Sequence, residues 1–218
     1  MGARELRVRV AFGGICGSDL HYYQHGGFGT VRIKQPMALG HEVSGVVEAM
    51  GAEVSGFTKG QRIAISPSRP CGSCRFCQTG MHNHCLNMRF YGSAMPFPHI
   101  QGAFSEQLVI DASQAHAVAD HLSLSEAALA EPLSVGLGGE IALPMNQIVA
   151  KEIDLRGTFR FHAEFATAVQ FLNSGLIDGK PVITAVLPFA RAVEAFALAG
   201  DKSQSLKVQI AFDEAAMA

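Results

Sequence analysis

Residues 13–21 read Gly13-Gly14-Ile15-Cys16-Gly17-Ser18-Asp19-Leu20-His21, and a second short motif, Gly40-His41-Glu42, places its histidine twenty-five residues after Cys16. Cysteine, histidine and carboxylate are competent zinc ligands, and an enzyme site uses three protein groups while leaving one position for water or substrate. The glycines let the backbone approach closely and take positive φ, so that a thiolate can turn inward at a strand end. A further carboxylate, Glu131 in Ala130-Glu131-Pro132, stands between two apolar stretches where an unpaired charge is costly, and metal coordination would resolve that cost. Taken singly, each residue has a plainer reading: Cys16 as a small buried apolar side chain, His41 as a hydrogen-bonded core histidine, Glu131 as a helix-terminus carboxylate.

Downstream, four of the five cysteines, Cys71, Cys74, Cys77 and Cys85, crowd into a fifteen-residue loop. A disulfide framework would scatter them, whereas four thiolates at this spacing close a tetrahedral shell around Zn2+ with no open position. The spacing therefore predicts a structural zinc site. Bacterial ferredoxin runs have a three-residue gap and a following proline at their last cysteine; here the gap is seven and Leu86 follows. Arg69, Arg75 and Arg89 stand close enough in sequence to balance the negative charge of such a site. His82 and His84 are further nitrogen donors in the loop, or ordinary surface residues.

Flanking these motifs are strand signals. Leu6, Val8 and Val10 alternate with Glu5, Arg7 and Arg9, the period-two pattern of a half-buried strand. Short apolar runs between Gly40 and Ser66, broken by Gly45, Gly51, Gly56 and Gly60, predict strands joined by tight turns, and residues 103–110 add another. The first half thus reads as a small barrel or sandwich. Two helices are predicted later: one carries Phe165, Ala168, Val169 and Leu172 and stops at Gly175, and one starts at Pro188, carries Ala192, Val193 and Phe196, and ends at Gly200. A last strand alternates Leu206, Val208, Ile210 and Phe212 with Lys207 and Gln209, and the Ala-rich tail after it is expected to fray.

Composition bounds the function classes. The 218 residues are 48% hydrophobic and 17% charged, enough for one or two domains with a substantial core. Seventeen Lys and Arg against nineteen Asp and Glu, without like-charged runs, argue against nucleic-acid binding. No stretch approaches the roughly 18 apolar residues of a membrane span. The charged opening, Met1 to Leu6, does not read as a signal peptide, and the default compartment is the cytoplasm.

Together the motifs resemble the zinc-dependent medium-chain dehydrogenases, and within them the polyol branch of sorbitol and L-idonate 5-dehydrogenases. The residues that carry the resemblance are Gly14 to Tyr22, Leu39-Gly40-His41-Glu42, the four-cysteine lobe, Glu131-Pro132-Leu133-Ser134-Val135-Gly136, and the returning segment Leu155 to Phe161. The resemblance implies a mainly β fold with helices: a GroES-like barrel bearing a zinc lobe and two C-terminal helices. It implies Cys16, His41 and Glu42 as direct ligands of a catalytic zinc, with Glu131 a fourth ligand or the partner of a bound water. Ser18 would take the proton of the alcohol substrate and His21 would help pass it to solvent. Tyr22, Arg160 and Phe161 resemble positions lining the polyol pocket, although Tyr22 and Phe161 also read as core aromatics and Arg160 as a surface charge. The implied substrate is a small polyol or sugar acid, and the implied hydride acceptor is NAD or NADP.

One part of the family pattern is missing. A doubly wound nucleotide-binding sheet is built from units of roughly 30 residues each, yet only 28 residues lie between Glu131 and Arg160. Val135-Gly136-Leu137-Gly138-Gly139-Glu140 does not meet Gly-x-Gly-x-x-Gly, so no cofactor-binding residues are assigned. The expected organisation is a catalytic domain whose halves, 1–135 and 160–218, are joined directly, with 136–159 a remnant of the nucleotide-binding domain. The start also looks short for the family, which would leave an exposed sheet edge and invite homo-oligomerisation. Three functions stay open: a polyol dehydrogenase catalytic domain, a non-catalytic zinc scaffold, and a barrel-like interaction module.

Overall fold

The computed structural model describes residues 1–137, 145–152 and 160–217. Gly138, Gly139, the 155–159 part of the returning segment and most of the expected 136–159 remnant lie outside the described residues.

The long strand β1 (Glu5–Gly14) organises the sheet. Leu6, Val8 and Val10 are fully buried, as their alternation predicts. Along its whole length β1 pairs antiparallel with β2 (Glu42–Met50), from Leu6 opposite Met50 to Gly14 opposite Glu42. Outward from β2 come β3 (Arg62–Ile65) and β5 (Ala115–Ala117). The other edge of β1 is shared: its first half pairs with β4 (Gln107–Asp111), and its last residues pair with the late strand β7 (Lys207–Ala211). Strand β6 (Ile183–Pro188) runs parallel to β7 at the sheet's end. Register shifts at Arg7/Val8 and Val10/Phe12 mark bulges, which bend a strand and increase its twist and so let β1 change partners. The neighbours then surround one core of Leu6, Val8, Val10, Val43, Val47, Ile63, Ile65 and Ile110.

Helix α1 (Gly17–His25) follows β1 directly, and the short α2 (Arg75–Gln78) lies inside the cysteine loop. Then come α3 (Leu124–Ala127), α4 (Ala130–Gly136) and α5 (Met145–Ala150). Helix α6 (Ala163–Asn173) buries Phe165, Ala168, Val169 and Leu172, the predicted i, i+3, i+4, i+7 stripe, and Gly175 beyond it takes φ 68°. These side chains meet Phe161, Ala130 and Leu122 in a second core.

The C-terminal region departs from the pattern read in the sequence. Pro188 closes β6, and a 3-10 turn (Phe189–Arg191) precedes α7 (Ala192–Gly200). Val193 is 72% exposed, whereas Phe196 of the same predicted stripe is buried with Ala195, because α7 packs through these two side chains against Leu187, Val208 and Ile210. In β7, Val208 and Ile210 are buried as expected, but Leu206 is 78% exposed and Gln209 is fully buried. Gln209 tolerates this because its amide donates to the Ser125 carbonyl (2.9 Å) and its oxygen accepts from the Ser125 hydroxyl. The tail forms a 3-10 turn (Glu214–Met217). Among the described residues no helix is long and apolar enough to cross a membrane.

Candidate metal centres and the adjoining cleft

The end of β1, the start of α1 and the start of β2 converge. The sulfur of Cys16, a ring nitrogen of His41 and a carboxylate oxygen of Glu42 all lie within 4.8 Å of one another. Asp19, wholly buried, ties the two motifs together: one oxygen accepts from the Cys16 backbone N–H (3.0 Å) and the other from the Gly40 backbone N–H (2.9 Å). Its carboxylate also stands 3.8 Å from His41 Nδ1, the position from which a carboxylate orients a ligating imidazole. Gly40 takes φ 92°, and a Cβ there would lie 2.1 Å from the Phe104 ring, so the turn that delivers His41 requires glycine.

Glu42 is held in a way the sequence did not suggest. Lys207 Nζ, from the first residue of β7, donates to both carboxylate oxygens at 2.7 and 2.8 Å and to the Ile15 carbonyl at 3.3 Å. The sheet register explains the meeting: Gly14 lies between Glu42 on β2 and Gln209 on β7, and Lys207 is two residues before Gln209. A Cβ on Gly14 would lie 2.0 Å from Glu42 Oε2, so only glycine leaves room for the carboxylate. Burial pulls the Lys207 ammonium down, but the Glu42 carboxylate outweighs it and holds the amine above its usual range.

Glu131, in the first turn of α4, is buried beside this group. Burial, opposed by His41 and reinforced by Glu42, pushes its carboxyl up to about 7. His41 moves the other way: burial lowers it, but the hydrogen bond with Cys16 and the charges of Asp19 and Glu131 carry it up to about 10. A site in which acids gather around one imidazole and one sulfur calls for a cation. The donor set of sulfur, nitrogen and oxygen, its close spacing and its burial fit Zn2+.

A cleft of about 60 Å³ opens next to it, lined by Ser18, Tyr22, Phe28, Phe90, Ser93 and Arg160 among others. The Tyr22 hydroxyl accepts from the Ala94 backbone N–H (3.1 Å). The Arg160 guanidinium lies 4.2 Å over the Phe90 ring, and burial lowers its proton affinity. Phe161 is placed in the second core, stacked on Phe165. His21 is exposed, its ring near His25 and Phe28, and no hydrogen bond joins it to Ser18 among the described residues.

Cys71, Cys74, Cys77 and Cys85 also bring their sulfurs within 4.8 Å of one another, and none is in a disulfide. The Cys71 backbone N–H donates to Cys85 Sγ (3.2 Å), while Ser73 and Asn87 side chains donate to Cys71 Sγ. Donors from Ser73 and Cys74 hold the Cys71 thiol down to about 5, whereas burial pushes Cys77 up to about 12. Sulfurs packed this closely and fed by N–H groups fit a closed tetrahedral zinc shell. His82 and His84 stand outside that group.

Of the residues singled out in the sequence, the structure brings together Cys16, His41 and Glu42, sets Glu131 beside them, and lines the cleft with Ser18, Tyr22 and Arg160. Sequence reasoning missed Lys207 and the part played by Asp19. Asp19 carried a signal that was not read: it falls at the third position of the helix that follows Cys16, where a carboxylate reaches back to the cap N–H. Lys207 carried none.

The family model described as the alcohol dehydrogenase GroES-like domain matches residues 2–120. The L-idonate 5-dehydrogenase (NAD(P)(+)) of Escherichia coli strain K12 is 31% identical, the match covering 94% of this chain and 91% of that protein. That alignment runs over 314 residues, more than the 218 present here, so a long internal stretch of the relative has no counterpart. The sorbitol dehydrogenase of Bacillus subtilis is 39% identical over 133 residues, which is 61% of this chain and 36% of that enzyme. The crystal structure of the Escherichia coli L-idonate 5-dehydrogenase superposes with a TM-score of 0.85 at 30% identity, covering 97% of this chain and 92% of that one. Fold, site and sequence agree: the chain belongs to the zinc-dependent medium-chain dehydrogenases with an alcohol dehydrogenase GroES-like domain, on their polyol branch.

Proposed function

We propose that this chain is the zinc-binding catalytic domain of an NAD(P)-linked polyol or sugar-acid dehydrogenase that oxidises a secondary alcohol to a ketone, with L-idonate as the first substrate to test. The observation that carries this reading is the convergence of Cys16, His41 and Glu42, with Glu131 beside them, next to a small, mostly apolar cleft to which Ser18 and Arg160 bring polar groups. A zinc ion bound there would favour loss of the alcohol proton, as zinc lowers the pKa of bound water from 15.7 to about 7.

The protein's own groups divide the remaining work. Asp19 fixes the Cys16 and His41 loops relative to each other, so the donor set is preorganised before metal arrives. Lys207, bonded to both Glu42 oxygens, offsets the charge of that carboxylate and holds it in place beside Cys16 and His41. Ser18, on the cleft wall, is the group to accept the alcohol proton, and His21, exposed one helical turn on, is the group to hand it to solvent. Arg160 presents a fork of donors to hydroxyls or to a substrate carboxylate, its plane fixed against Phe90. Tyr22, whose hydroxyl accepts from the Ala94 backbone N–H, fixes another part of the cleft lining.

The hydride acceptor must come from elsewhere. The 28 residues between Glu131 and Arg160 cannot build a nucleotide-binding domain, and this favours a second reading: the isolated chain, with 1–135 and 160–218 joined directly, acts as a zinc-binding scaffold without turnover. Nicotinamide absorbance with L-idonate and with sorbitol separates the two. Turnover well above a Cys16→Ser control refutes the scaffold reading. Zinc content that is the same in the native chain and in Cys16→Ser refutes the dehydrogenase site itself.

A further inference from the structure

A third group of imidazoles stands outside both cysteine-bearing sites. His82, in the 3-10 turn (His82–His84) of the cysteine lobe, and His162, just before α6, have ring centroids 4.6 Å apart with planes inclined at 53°. The two come from segments eighty residues apart and meet across the seam between the lobe and the second core. Nδ1 of His82 is buried and has no hydrogen-bond partner among the described residues. Such an orphan is uncommon, because the atom gives up water and receives nothing in exchange.

Both the electrostatics and the spacing suit a metal ligand pair. Burial, followed by the repulsion of His82, holds His162 below the usual histidine range; burial and then His162 do the same to His116 on β5. His162 therefore presents a neutral ring with a lone pair, the form that ligates metal. Two imidazoles on one tetrahedral ion at Zn–N of about 2.0–2.1 Å sit with centroids about 5 Å apart, so a small rotation of the exposed His162 ring meets the requirement.

We propose that His82 and His162 form a bis-imidazole site for a divalent transition-metal ion, separate from the Cys16 centre and from the four-cysteine lobe. Imidazole donors select zinc, nickel or copper over magnesium and calcium. Water completes the shell on the exposed side of His162. The bound ion clips the cysteine lobe to the start of α6, the element that also buries Phe165 and Leu172.

Equilibrium dialysis of the full chain against graded free Zn2+, with metal counted by elemental analysis, tests the assignment. At saturating free zinc the native chain is expected to hold one more ion than His162→Gln, and the same difference is expected in a Cys16→Ser background, whatever the occupancy of the Cys16 centre. Equal zinc content in native and His162→Gln chains overturns the proposal. His82→Gln lies inside the lobe, so its loss of an ion counts only alongside the slow phase of zinc release to a chelator, which reports the four-cysteine site. Loss of a rapidly released ion with the slow phase intact, in both variants, supports the pair; loss of the slow phase in His162→Gln overturns it.

Discussion

Replacing Lys207 with methionine isolates a buried ion pair that connects the late strand β7 to the candidate metal centre. Glu42 is 1% exposed and Lys207 16% exposed, with Nζ 2.7 Å from Oε1. Removing one partner of a buried pair costs about 3–5 kcal/mol, because the survivor stays charged and unanswered. The carboxylate has an escape through proton uptake, which costs an ordinary glutamate about 3.7 kcal/mol at pH 7 and about 1.6 kcal/mol at pH 5.5. The expected loss at pH 7 is therefore about 3–4 kcal/mol, a fall in Tm of roughly 6–16 °C for a chain of this size. The sign with pH follows from linkage: an acid whose proton affinity rises on folding penalises the folded state above its unfolded pKa, so the deficit grows as pH rises from 5.5 to 7. The measurement is urea unfolding of Lys207→Met at both pH values, in a Cys16→Ser background so that no ion competes for Glu42. Adding Glu42→Gln should recover most of the loss. A deficit below about 1 kcal/mol at pH 7, or one that fails to shrink towards pH 5.5, would refute the reasoning.

Three further outcomes are expected. In graded chelation the Cys16 centre should release its zinc before the four-cysteine lobe, whose shell is closed by four thiolates; equal retention of both ions counts against the assignment of an open site. Gly14→Ala drives a methyl to within 2.0 Å of Glu42 Oε2, so urea unfolding should show a loss of about 1–3 kcal/mol, and native stability would disprove the packing argument. Asp19→Asn keeps the shape but leaves one of two backbone N–H groups facing an amide, so zinc affinity at the Cys16 centre should fall about 10- to 100-fold with the lobe's zinc unaffected; competition with a chromophoric chelator reads both.

Much of the fold was legible because its signals are local. The alternation of Leu6, Val8 and Val10 and the helical stripe of Phe165, Ala168, Val169 and Leu172 are each set by a few consecutive residues, and each is buried as read. Errors fall where a local pattern met a tertiary constraint. Val193 is exposed because α7 meets β6 and β7 through Ala195 and Phe196, and Leu206 stands just before β7 while Gln209 is buried through Ser125, 84 residues away. Phe161, offered as a pocket residue and equally as a core aromatic, sits in the core because Phe165 and Phe90 flank it.

The sequence by itself determined which metal-competent donors the chain carries and where along it they cluster. Four cysteines in fifteen residues, and one cysteine and one histidine each set among glycines, carry donor identity and spacing without reference to the rest of the chain. Only the tertiary structure decided how those donors are answered: that Lys207 reaches Glu42 from 165 residues away across Gly14, that Asp19 joins two loops, and that His82 faces His162. The physical reason is that a buried charge takes its partner from whichever strand lies beside it, and strand neighbourhood is a property of sheet register that no run of consecutive residues contains.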